Sequence, residues 1–211
     1  MAYSLEEIKR DLITNDIRQI YLKYIVRSEN WYFENVLGCS QGELIKMSDD
    51  FRLIISESLG ISFNNVLIVG SSKTGYSFSP GEKRLSPFCI TGEERPISDI
   101  DVAIISPDLY LKFWKLFRQN YTLQNKSKYK PLYTEIYRGF INEKRIIEID
   151  GCRKEWLGIA TASKKRIAEA FFVQHTINYR IYRSWEDFEE YNLSGIQKLK
   201  DKLLEENNGV I

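Results

Sequence analysis

The chain has 211 residues, an apolar share of 43%, and 30 basic against 29 acidic side chains for a net charge of +1. That length suits one globular domain with a core of ordinary size, and near-neutrality excludes a chain basic throughout, so any nucleic-acid surface must be local. The cysteines, Cys39, Cys89 and Cys152, are odd in number and form no CxxC pair, and no apolar run reaches bilayer length. These features argue against a disulfide framework, a zinc site or a membrane partner, and the expectation is a soluble, cytoplasmic protein with reduced thiols. MAYSLEEIKRDL, the first stretch, has no apolar signal core.

Ser4 followed by Glu7 is a capping-box pattern, and Leu5, Ile8, Leu12, Ile17, Ile20, Tyr21 and Tyr24 recur at helical spacing, which predicts a helix over 4–27. Residues 30–40 are aromatic and poorly periodic. Ser48-Asp49-Asp50 predicts the cap of a second helix ending near Leu59 and stopped by Gly60. Asn64-Asn65 marks a turn before a strand, Val66 to Val69. Residues 79–97, with Pro80, Gly81, Pro87, Gly92 and Pro96, read as a loop long enough to be functional or mobile. A second strand follows from Asp99 to Ile105, then an amphipathic helix from Leu109 to Asn120 opened by Pro107-Asp108. Residues 121–130 read as a polar, basic loop, and Leu132 to Phe140 and Arg145 to Asp150 as β-rich runs joined by INEK. Beyond Leu157 the chain reads as mostly helical. Lys164 to Thr176 is one helix, Ile177 to Arg183 is of uncertain type, and SWEDFEEYN and SGIQKLKDKLLEENN each begin with a serine cap. The element order implies an α+β fold, a small mixed β-sheet core (61–156) flanked by N-terminal (1–60) and C-terminal (157–211) helices as one compact unit.

Chemistry concentrates at the two strands. Gly70-Ser71-Ser72-Lys73-Thr74-Gly75 follows the first. Glycine permits close backbone approach, and successive N–H groups and hydroxyls at a turn can cradle phosphate oxygens. The P-loop spacing is absent, and alone the segment reads equally as a flexible strand-to-helix turn. Asp99 and Asp101 begin the second strand, where alternate residues share a face. Two carboxylates so crowded repel unless cations sit between them, and such a pair suits Mg²⁺ with substrate phosphates completing the shell. A lone DxD reads more simply as a capping aspartate with a solvated neighbour, but two motifs each abutting an apolar strand favour function.

The pattern Val69-Gly70-Ser71 followed by Asp99-Ile100-Asp101-Val102 resembles the DNA polymerase β-like nucleotidyltransferase superfamily, in which a strand ends in Gly-Ser or Gly-Gly before an hDhDh strand. GSSKTGYSFS before SDIDVAI is also similar to the turn of that superfamily's second-messenger synthases. The resemblance covers roughly residues 60–106. It implies a nucleotidyltransferase core and a Mg²⁺- or Mn²⁺-dependent transfer of a nucleoside monophosphate from an NTP or dNTP, ATP among them. The acceptor would be a hydroxyl of a protein, a nucleic-acid end or a second nucleotide. It further implies that Gly70 and Ser71, with Ser72 and Lys73, contact the triphosphate and that Asp99 and Asp101 hold metal ions. Small members occur in toxin–antitoxin and antiviral defence settings. Many members carry a third carboxylate that completes the metal site or acts as general base; here the candidates are Glu148 and Asp150, which share one face by period two in RIIEIDG, with Asp150 preferred. The rival reading makes 142–155 a polar turn plus helix with no third carboxylate, and the chain an inactive nucleotide-binding or protein-interaction module. The stretch between Ser71 and Asp99 departs from minimal members by its length; it either covers the active site or contacts a protein partner.

Other residues read more plainly. Lys83, Arg84 and Arg95 can meet phosphates or be solvated, and Tyr76, Phe78 and Phe88 can stack on a base or, more simply, pack the core. His175 is the sole histidine, so Ser–His triads and histidine metal sites lack support. Lys126, Lys128 and Lys130 can bind nucleic acid or form a solvated loop.

Overall fold

The computed structural model describes residues 3–27, 29–93 and 95–208. In it the helix expected over 4–27 is divided. α1 (Leu5–Thr14) starts at Ser4, whose hydroxyl accepts from the Glu7 N–H at 3.1 Å, as the capping pattern predicts. Asp16 then caps a new helix, α2 (Ile17–Tyr21), by accepting from the Arg18 N–H at 2.8 Å. Residues 22–26 continue as a π-helical turn, closed by the Arg27 N–H on the Leu22 carbonyl at 3.2 Å. The aromatic segment forms a short helix, α3 (Trp31–Asn35). α4 (Gln41–Leu59) begins well before the predicted cap, because Glu43 accepts from the Ser40 N–H at 2.9 Å and its hydroxyl at 2.5 Å. Ser48, Asp49 and Asp50 therefore lie inside the helix.

β1 (Val66–Val69) leads into a single turn, α5 (Ser71–Thr74), and β2 (Ile100–Ile105) leads into α6 (Pro107–Gln119), capped by Ser106 on the Leu109 N–H at 3.2 Å. The two β-rich runs expected over 132–150 are a correction. Residues 126–137 form a helix, α7 (Lys126–Tyr137), and only β3 (Phe140–Asn142) is extended before α8 (Glu143–Ile147) and α9 (Asp150–Phe171). The reason lies in which apolar residues are buried: Ile146 and Ile149, three apart, are inside, while Ile147 is 37% exposed. That is helical spacing, and short apolar runs do not distinguish a strand from a buried helix by composition alone. The run of uncertain type is β4 (Ile177–Tyr182), and the last two expected helices are one, α10 (Trp185–Asn208), whose first turn is capped by Ser184 on the Asp187 N–H at 3.2 Å.

The fold is mixed α+β, with a four-stranded sheet in the order β1-β2-β4-β3. β3 and β4 are antiparallel, with Phe140 opposite Tyr182 and Ile141 opposite Ile181. Among the described residues no helix is long and apolar enough to cross a membrane.

The chain divides into two compact units that interleave in sequence. The first comprises Met1–Asp49, Ile68–Asp101 and Glu190–Ile211; the second comprises Asp50–Leu67 and Val102–Glu189. In the first, Ile8, Leu12, Tyr24, Tyr32, Phe33 and Phe88 are buried. In the second, Phe113 meets Trp156 edge-on at 5.6 Å, and Trp156 meets Tyr179 at 5.7 Å. A buried carboxylate, Glu143, holds that core: it accepts from Trp156 Nε1 at 2.8 Å, Lys164 Nζ at 2.5 Å and the Tyr179 N–H at 2.9 Å.

Candidate phosphate turn and carboxylate strand

All of Gly70, Ser71, Asp99 and Asp101 lie in the first unit. Where β1 ends, Gly70 takes φ +71° and ψ −159°, a conformation open essentially only to glycine. Its carbonyl accepts from the N–H groups of Lys73 and Thr74 at 3.1 and 3.4 Å, which folds the chain back into α5. Gly75, at φ +82°, closes the turn with its N–H on the Ser71 carbonyl at 2.8 Å.

The side chains of the turn are sorted. Ser72 is fully buried and its hydroxyl donates to the Val69 carbonyl at 2.9 Å, while the Thr74 hydroxyl donates to the Tyr76 carbonyl at 2.6 Å. These two hydroxyls brace the backbone. Lys73 is buried at 9% exposure, and Ser71 is half-buried.

β2 presents the second half. Ile100 and Val102 are buried, and Asp99 and Asp101, alternating with them, are half-buried. The carboxylate of Asp101 lies directly against Gly70: a Cβ at position 70 would sit 2.6 Å from Asp101 Oδ2 and 3.3 Å from its Cβ. The glycine turn and Asp101 are therefore one constellation; the strand starts at Ile100, so Asp99, expected to begin it, is the residue before it. On the other end of the turn, a Cβ at Gly75 would lie 2.8 Å from Cδ1 and Nε1 of Trp31, so that indole rests on the backbone of the turn.

The long stretch from Ser71 to Asp99 has two ordered parts. Tyr76 bridges Pro87, the Ser77 N–H donates to the Ser86 carbonyl at 2.9 Å, and the Phe88 N–H donates to the Gly75 carbonyl at 2.8 Å, forming a hairpin. Cys89 and Ser98 then close a loop, with each backbone N–H satisfied by the other residue at 2.9 Å. This closure returns the chain to Asp99. The hairpin is tied to α10, since Lys202 Nζ donates to the Pro80 carbonyl at 2.6 Å and Arg84 pairs with Glu206 at 2.5 Å. Phe88 packs on Trp31 and Tyr32 at 5.5 and 5.6 Å, and Phe78 on Tyr24 at 5.2 Å. Those aromatics serve packing, and Lys83 and Arg95 are exposed.

Glu148 and Asp150 belong to the second unit. Because 143–147 and 150–171 are helical, the period-two argument that put them on one strand face does not hold; the turn-plus-helix reading of 142–155 is the one the backbone adopts. Glu148 receives Arg145 Nη1 on both oxygens, at 2.7 and 2.8 Å. Asp150, its side chain 89% exposed, pairs with Arg153 at 3.0 Å. Among the described residues, no three His, Cys, Asp or Glu side chains are gathered as a metal ion would require. Mg²⁺ is commonly held by one or two carboxylates plus substrate phosphates, and Asp99 with Asp101 fits that donor chemistry.

Sequence reasoning missed Trp31 and the ties from Lys202 and Glu206. No local signal reports them, because each partner is distant along the chain. Compared with known protein families, curated proteins and solved structures, the chain matches none.

Proposed function

We propose that this chain is a nucleotidyltransferase that moves a nucleoside monophosphate from an NTP or dNTP to an acceptor hydroxyl and releases pyrophosphate. The observation that supports it is the close approach of Asp101 Oδ2 to Gly70, which brings one carboxylate of the Asp99–Asp101 pair onto a phosphate-cradling turn. Gly70, whose missing side chain makes room for Asp101, would meet the triphosphate through its backbone, and Ser71 offers its N–H and hydroxyl. Ser72 contributes through its backbone, its hydroxyl being engaged by Val69. Lys73 adds positive charge to the turn. Asp99 and Asp101 would hold Mg²⁺ or Mn²⁺, which supplies charge neutralisation of the phosphates and a more nucleophilic acceptor oxygen. The acceptor oxygen bonds to the α-phosphorus, the bond from that phosphorus to the bridging oxygen breaks, pyrophosphate leaves with that oxygen, and the hydroxyl proton passes to solvent. A cytoplasmic, bacterial defence or toxin–antitoxin setting is proposed by analogy alone; the free thiols of all three cysteines suit a reducing compartment.

The test is incubation of the purified chain with each α-labelled nucleoside triphosphate and Mg²⁺ or Mn²⁺. Label transfer with pyrophosphate release is expected, and its loss in Asp101→Asn. A chain that neither binds nor turns over any nucleotide defeats the proposal. One observation favours a second reading, a nucleotide-binding or protein-interaction module without catalysis: Glu148 caps the end of α8, Asp150 starts α9, and each is ion-paired within its own unit. Nucleotide binding without pyrophosphate release would select it, whereas full turnover in Glu148→Ala/Asp150→Ala would show that neither carboxylate is needed.

A further inference from the structure

The basic segment 126–130 is helical, and the helix sorts its lysines. Lys128 turns to donate to the Glu148 carbonyl at 2.9 Å. Lys126 and Lys130 point elsewhere, in register with Tyr133 and Tyr137. At about 100° per residue these four positions fall within an arc of roughly 60° on α7, and at the helical rise the stripe is about 16 Å long. All four are exposed, Tyr133 at 57% and Tyr137 at 90%. Neither Lys126 nor Lys130 joins an ion pair among the described residues. The side of the helix next to the stripe is the anchored one: Tyr129 and Leu132 are buried, and Tyr129 Oη donates to the Phe117 carbonyl at 2.7 Å.

Charge and ring chemistry on this stripe are complementary to one kind of partner. From 126 to 138 the segment carries Lys126, Lys128, Lys130 and Arg138 against Glu135, four minus one, for +3. Glu135 is itself paired with Arg145 at 3.1 Å, so it leaves the stripe's charge standing. Two unpaired ammonium groups interleaved with two exposed phenol rings suit a strand of phosphates and unstacked bases, since every base offers a π-face and every linkage an anion. Packing leaves both tyrosines largely outside: Tyr133 meets Tyr129 only as a tilted pair with centroids 6.1 Å apart, and Tyr137 is almost wholly in solvent.

We infer that the Lys126–Lys130–Tyr133–Tyr137 face of α7 binds single-stranded nucleic acid without strong sequence preference, the lysines on phosphates and the tyrosines stacked on bases. The inference does not rest on nucleotidyl transfer, and a chain lacking that activity would carry the same surface.

Fluorescence anisotropy of labelled oligothymidylate and oligouridylate with the full chain, in nucleotide-free buffer, tests it. Saturable binding to either is expected, and the two probes separate DNA from RNA preference. For two phosphate contacts the log–log salt slope should be about −1.4, and it should flatten in Lys126→Ala/Lys130→Ala. Each of Tyr133→Ala and Tyr137→Ala should weaken binding about fivefold or more, with Tyr→Phe restoring it, because stacking needs the ring and not the hydroxyl. Lys9→Ala/Lys46→Ala, a pair of exposed lysines in the other unit, should change nothing. Absent binding, equal losses in that control pair, or capture by anionic phospholipid vesicles in place of the oligonucleotides would each overturn the inference.

Discussion

Adding one carbon at Gly70 meets two obstacles. The backbone conformation is one that L-residues avoid, at a cost of about 1–3 kcal/mol, and the new methyl would lie 2.6 Å from Asp101 Oδ2. Gly70→Ala should therefore lower the urea midpoint and abolish any turnover. Because the new methyl would meet the Asp101 carboxylate, Asp101→Ala in the same chain should return part of the lost stability, giving a coupling of at least about 0.5 kcal/mol; simple additivity of the two single changes is the outcome that excludes it. Both residues were legible in the sequence, because a glycine after an apolar run and aspartates at alternate positions are local patterns. Their mutual contact was not legible from pattern alone, since it depends on how β1 and α5 direct the chain, and the resemblance to a known superfamily supplied it as an expectation. The third carboxylate shows the opposite case. Glu148 and Asp150 matched a local period, but the burial of Ile146 and Ile149 selected a helix instead.

Helix boundaries in this chain are decided by side chains that cap, and this can be tested at α4. Ser40→Ala removes the bond its hydroxyl donates to the Glu43 carboxylate, leaving the backbone N–H bond in place, and should lower the thermal or urea midpoint. Ser48→Ala, at the cap predicted from sequence, should be nearly neutral. β1, β2 and α6 were legible because Asn64-Asn65, Gly70 and Ser106-Pro107 punctuate them; 126–150 was not, because its apolar residues fit either period and tertiary burial chose. The joint between α1 and the π-helical turn carries a pH signature. Asp11 is 7% exposed and accepts from Lys23 Nζ at 2.7 Å and Tyr24 Oη at 2.9 Å. Burial alone would raise its carboxyl, but the hydrogen bonds from Lys23 and Tyr24 and the charge of Lys23 outweigh it and hold its pKa below the ordinary value. Burial would lower the Lys23 ammonium, but its bonds to Asp11 and Glu7 raise it. The depressed carboxyl contributes stability fully present above its unfolded value of about 3.9 and lost as pH falls through the folded one. The raised ammonium contributes below about 10.4 and is lost as pH rises through its folded value. Lys23→Met should thus cost about 1–3 kcal/mol near neutrality, and its deficit against the native chain should shrink in acid; a deficit independent of pH would rule the pair out as its source.

For the whole molecule, the thiols report the state of the fold. Cys152 is fully buried, and burial pushes its pKa up to about 11. Ellman's reagent should label Cys39 and Cys89 in the native chain and Cys152 only in denaturant, and a reductant should leave the melting temperature unchanged because all three cysteines are free. Rapid native labelling of Cys152 would mean that α9 opens on its own. The two units have a property that no local pattern announces. Each passage between them falls inside a helix or strand: at 49/50 in α4, 67/68 in β1, 101/102 in β2 and 189/190 in α10. Loop tips are where proteases cut, so limited proteolysis should not release either unit intact. The tie between the hairpin at Pro80–Arg84 and α10 has a consequence in time. A ribosome delivers the glycine turn and the aspartate strand early, but Lys202 and Glu206, which fasten the hairpin between them, emerge only after residues 102–201 have been made. A nascent chain stalled before that point, or one cut short by a premature stop codon, would hold every residue of the candidate site and lack its fastening.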